Sequence, residues 1–200
     1  MELHIIRHGV TTANESGILQ GWTDSLLLPE QVTFLQSIAL DVTQYDAIYA
    51  SDLGRCAQTC SALRLPGVIV DQRLRERHFG VFEDLYFSEC KAQYPDVFAQ
   101  FETLSGEHQV PDGETRTEHF ERLSSWIKSV QSCDRVLAVS HGGTVDFLYR
   151  LGTGQNLHGG EELFAGRNAA RSGFRVDWPE VELISFNEHL GTGQARGDAT

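Results

Sequence analysis

Residues 1–9 read MELHIIRHG. Leu3, Ile5 and Ile6 give the run strand character, and Gly9 breaks it. Arg7 and His8 therefore fall at the carboxyl end of a strand, the edge beyond which open α/β sheets bind ligands. A guanidinium and an imidazole beside a permissive backbone suit an oxyanion such as phosphate. Three letters alone fit a solvated strand end better, so the rest of the chain must decide.

Downstream of RHG the pattern alternates. Residues 9–28 read as a loop, and Pro29-Glu30 begins a helix through Val32, Leu35, Ile38 and Ala39. Ala47–Ala50 is a short buried strand, and Ser51-Asp52 can cap the helix holding Cys56, Thr59, Cys60 and Leu63. Val68–Val70 is the next strand. Residues 81–113 differ: two short helical patches meet at Pro95 and close on a Gly/Pro loop, which reads as a cap over the sheet. Thr115-Arg116-Thr117-Glu118 has capping-box form and opens a helix with Phe120, Leu123, Ile127 and Val130 on one face. Arg135–Ser140 is a strand that turns at His141-Gly142-Gly143 into another helix. Strands at 172–177 and 181–186 follow, and the chain from 191 reads as a flexible tail. The expected fold is α/β: a mostly parallel sheet with helices on both faces and a small helical cap, one domain over residues 1–190.

Composition narrows the partners. The 200 residues carry 28 acidic against 16 basic groups, a formal charge of −12. That opposes binding to nucleic acid or to an anionic membrane. A few focused arginines can still reverse the field locally for a small anion. No signal-peptide pattern or bilayer-length apolar run is seen, so a cytoplasmic protein is expected. The four cysteines (Cys56, Cys60, Cys90 and Cys133) lack zinc-ligand spacing and read as reduced thiols. No metal or cofactor is expected.

The grammar of RHG recurs in Ser140-His141-Gly142-Gly143, again at a strand end. If both strands are central and parallel, both histidines project from one edge. The helix after Gly143 adds its N-terminal amides. Ser51-Asp52-Leu53-Gly54-Arg55 places an arginine near a third strand end. His4 shares a face with His8 but fits a packed histidine better than a site residue.

Five blocks in order across residues 3–143 resemble the histidine phosphatase (phosphoglycerate mutase-like) superfamily: LHIIRHGVTTANESGILQGW, SDLGRCAQTC, LRERHFGVFED, PDGET and LAVSHGG. The resemblance implies a phosphohistidine mechanism. His8 is then the nucleophile, and Arg7, Arg55 and His141 face the phosphoryl oxygens. Glu76 is the general acid and base, and Asn14, Gln20, Gly21 and Gly142 contact phosphate or substrate. Arg75 and Arg77 flank Glu76, and in an extended segment both point away from the face it presents. Glu114 reaches the site or merely caps a helix. Val10 stands where many members carry Glu.

Within that family, a mutase needs extra positive charge in the cap. From Glu83 to Phe120 nine acids face only Lys91 and Arg116, with five aromatics from Tyr86 to Phe101. This favours a phosphatase acting on a small phosphomonoester with a neutral or apolar leaving group. The candidates the resemblance implies are a nucleoside-like phosphate such as α-ribazole phosphate, a sugar phosphate, or a broad range of phosphomonoesters. The alternatives are a cofactor-dependent phosphoglycerate mutase and a non-catalytic phosphate sensor. The apolar C-terminal hairpin offers an edge for a homodimer.

Overall fold

The computed structural model describes residues 1–103, 107–157 and 166–191. Six strands form one sheet: β1 (Glu2–Arg7), β2 (Ala47–Ala50), β3 (Ile69–Val70), β4 (Arg135–Ser140), β5 (Ala170–Asp177) and β6 (Glu180–His189). Their spatial order is β3-β2-β4-β1-β5-β6. The pairs β1–β4, β2–β4 and β2–β3 are parallel, while β5 runs antiparallel to β1 and to β6. The late strands are longer than the sequence suggests, and β6 forms an edge with Ile184 exposed.

Strand alternation divides the core. Leu3 and Ile5 of β1 and Val136 and Ala138 of β4 pack on one face. There they meet α6 (Arg116–Val130) and α7 (Gly142–Thr153). Ile6, Leu137 and Val139 pack on the other face, against α2 (Pro29–Ser37) and α3 (Gly54–Ala62). The result is a three-layer α/β/α arrangement. Fully burying each Leu or Ile of β1 contributes about 2 kcal/mol. A third apolar cluster (Phe82, Cys90, Phe98, Phe101 and Val110) lies in the cap segment. There α4 (Phe87–Gln93) and α5 (Pro95–Phe101) meet at Tyr94-Pro95.

Three local expectations need correction. Residues 9–28 are not all loop: Thr12–Ser16 form α1. It is closed by a reciprocal Thr11–Asn14 capping box and by Gly17 in the left-handed region at φ +74°. Ser51-Asp52 does not cap α3. The Asp24 carboxylate does so from thirty residues upstream, accepting from the amides of Gly54 and, at 3.1 Å, of Arg55. Asp52 instead pairs with Arg75. Finally, α2 stops at Ser37, before the predicted Ile38 and Ala39. The tail expected from residue 191 falls, beyond Gly191, outside the described residues. No described helix is long and apolar enough to cross a membrane.

Candidate active site

The parallel pairing of β1 with β4 aligns Arg7 with Ser140, so the two strand-end histidines emerge together. The His8 and His141 rings lie with centroids 5.3 Å apart, tilted by 61°. His8 Nδ1 lies 2.8 Å from the carbonyl oxygen of Gly9 and donates to it. The ring is thereby fixed with Nε2 as the unprotonated nitrogen. Burial, then Arg55 and Arg7, hold the His8 imidazolium far below its usual range. Burial and Arg55 do the same for His141. Both rings are neutral at physiological pH.

Arg55 is fully buried at the start of α3 and donates to the carbonyls of Thr23 (2.9 Å) and Gly21 (2.8 Å). Its Nε, the Nε of Arg7 and the Nδ1 of His141 are buried without a hydrogen-bond partner among the described residues. Arg7 Nη1 donates to Gly166 (2.7 Å). On the far side of His141, Cys56 Sγ lies 3.5 Å from Nε2. Guanidinium and imidazole donors left over around the His8 ring are what a tetrahedral oxyanion needs.

Arg7, His8 and Arg55 open on a cavity of about 370 Å³. Arg7, His8, Asn14, Gln20, Arg55, Glu76 and Gly142 line it, whereas His141, fully buried beside His8, is not among the lining residues. Gly21 does not line it either; its carbonyl instead holds Arg55. His4 is bonded to Tyr45 (2.5 Å) and Glu2 (3.0 Å), away from the cavity. Glu114 also lies outside the lining and pairs with Arg122 at 2.7 Å. Arg122 in turn donates to the carbonyls of Arg73, Arg75 and Glu76. Glu114 thus braces the segment bearing Glu76.

The Glu76 carboxylate accepts from the amides of Arg77 (2.8 Å) and of Gly143 (3.0 Å). An N-terminal amide of α7 therefore holds Glu76, a different use from the one the sequence suggested. Arg75 points away, paired with Asp52 and stacked over Trp22. Arg77 does not. Residues 75–79 form no strand, so side chains need not alternate. Arg77 is buried against Phe79 and Phe101, lines the cavity, and is brought down to about 10 by burial and by Arg116.

The lining also revises the charge argument. None of the nine cap acids lines the cavity, whereas Arg77 and Arg116 do, beside Phe87, Phe101 and Phe120. Arg116 is paired with the buried Asp146. The acidic cap faces elsewhere, so its net charge does not describe the pocket. Sequence reading also missed His119, Asn168 and Glu83. Asn168 donates to the carbonyl of His8 at 2.9 Å. Glu83 accepts from the amides of Trp22, Thr23 and Phe79 and ties the loop before α2 to the segment after Glu76. Among the described residues no three His, Cys, Asp or Glu side chains gather as a metal site would.

Residues 3–189 match the family model described as Histidine phosphatase superfamily (branch 1). A Hydrogenobacter thermophilus protein named "Putative phosphoserine phosphatase 2" is 33% identical over 199 residues, covering 96% of this chain and 98% of that one. A mycobacterial glucosyl-3-phosphoglycerate phosphatase, solved with VO3, aligns with TM-score 0.77 and 25% identity over 94% of this chain and 98% of that one. The α-ribazole phosphatase of Shigella flexneri shares the fold, with TM-score 0.79 and 23% identity over 94% and 96% of the two chains.

Proposed function

The chain belongs to the histidine phosphatase superfamily, and on that premise we propose that it hydrolyses a small phosphomonoester through a phosphohistidine on His8. The observation that carries this reading is the 2.8 Å bond from His8 Nδ1 to the Gly9 carbonyl. It leaves Nε2 as a neutral nucleophile facing the cavity. As Nε2 bonds to phosphorus, the ester P–O bond breaks and Glu76 gives its proton to the departing oxygen. Arg7, Arg55 and His141 stabilise the charge on the phosphoryl oxygens. Water then attacks the phosphohistidine, Glu76 takes up a proton, and phosphate leaves. Every group in the scheme belongs to the chain, and none requires a metal.

The relatives named above act on different phosphates, so the leaving group is a separate question. Aromatic walls and the guanidiniums of Arg77 and Arg116 admit both an apolar body and a carboxylate, which keeps phosphoserine beside nucleoside-like and sugar phosphates. The test is phosphate release from p-nitrophenyl phosphate and from a panel of such esters, in chelator, with His8→Ala as control. His8-dependent turnover supports the phosphatase. Transfer between glycerate positions in place of release would identify a mutase, and bound phosphate without turnover a sensor.

A further inference from the structure

His119 lies on α6, 1% exposed, and lines the same cavity. The carbonyl of Arg75 lies close to the ring, whose Nε2 is buried with no hydrogen-bond partner among the described residues. Burial and the nearby Arg122 and Arg77 hold its pKa far below the usual histidine range. With its one proton on Nδ1, a neutral imidazole is an acceptor at Nε2. Buried acceptors seldom go without a donor. The neighbour is informative: a Cβ on Gly143 would meet Glu76 Oε1 at 2.3 Å and His119 Cε1 at 2.6 Å. The carboxylate and the imidazole therefore close on one spot, and only glycine leaves room for both.

We propose that Glu76 and His119 Nε2 together hold the water that discharges the phosphohistidine, so that His119 directs the phosphoenzyme to hydrolysis. This rests on the phosphohistidine reading given above. The two half-reactions place different oxygens opposite His8. The ester oxygen carries no proton and receives one, so Glu76 alone suffices. Water carries two. As its oxygen bonds to phosphorus and the His8 Nε2–P electron pair returns to the ring, one proton passes to the Glu76 carboxylate. The other stays on the oxygen, donated in a hydrogen bond to His119, and leaves as a phosphate hydroxyl. Two adjacent acceptors match water and exceed what the ester needs.

The test is p-nitrophenyl phosphate turnover in water–methanol mixtures, with methyl phosphate and inorganic phosphate both counted. Methanol brings one proton, which goes to Glu76, so its attack does not use His119. His119→Leu should raise the methyl phosphate to phosphate ratio about tenfold, the weight of one hydrogen bond. The steady-state phosphoenzyme should rise with it. His119→Gln, whose amide oxygen accepts, should return most of the ratio toward wild type. The ratio is read only from folded, active molecules, so a less stable variant still reports. An unchanged ratio in the leucine variant overturns the inference and leaves His119 a packing residue. A wild type that forms neither phosphoenzyme nor methyl phosphate would remove the phosphohistidine reading itself, and this inference with it.

Discussion

His8 Nδ1 and the carbonyl oxygen of Gly9, adjacent in the chain, are 2.8 Å apart. The backbone thus selects the tautomer of the ring it carries, and His8 needs no carboxylate to orient it. His8→Ala should lower turnover by at least about 10³-fold and abolish the acid-labile phosphoenzyme that a rapid quench of the wild type is expected to trap. Full phosphoenzyme yield in this variant would move the nucleophile elsewhere.

Arg55 lines the cavity from a helix whose first amides are held by Asp24. Arg55→Lys keeps the charge but loses the fork that grips the Thr23 and Gly21 carbonyls. A fall of about 10²-fold in kcat is expected. Asp24→Ala should lower stability by about 1 kcal/mol through the lost cap, measured by urea unfolding, and should also reduce kcat.

Arg122 gathers the carbonyls of Arg73, Arg75 and Glu76 and the Glu114 carboxylate. Arg122→Ala leaves that carboxylate without its cation, held only by the His78 amide, and should cost about 2 kcal/mol. Its kinetic signature is a fall in kcat larger than any rise in KM, because Glu76 is displaced while the phosphate groups stay. Arg122→Lys cannot span all four partners and should recover only part. Equal changes in kcat and KM would argue against a positioning role.

His8, His119 and His141 are all buried, and all three titrate far below the ordinary histidine range. The unfolded chain therefore binds more protons than the native one once pH drops below about 6.5. Their contribution is fully present above that pH and is lost progressively as pH falls below it. Each histidine adds at most about 1.4 kcal/mol per pH unit to the slope, and the three together about 4. Urea midpoints between pH 7.5 and 5 measure this. His119→Gln should flatten the slope by about a third.

Much of this was legible in the residue order. Near-continuous apolar runs in Leu3–Ile6 and Val136–Val139 set strands with two buried faces. The repeat of Arg7-His8-Gly9 and Ser140-His141-Gly142 at strand ends brought two imidazoles to one edge, because parallel strands end on the same side. Helix starts with their own capping box, such as Thr115–Glu118, were equally plain, since both partners lie within one turn.

The sequence by itself therefore determined the layered sheet, the edge at which the cavity opens and the groups gathered around His8. Those signals have a period or a span of a few residues. Tertiary structure alone decided that Asp24 caps α3, that Glu83 joins two loops, that Arg77 turns inward and that His119 stands beside Glu76. These contacts join segments tens of residues apart, or lie in irregular backbone between elements. With no periodic repeat to fix which way a side chain points, only packing of the assembled layers chooses it.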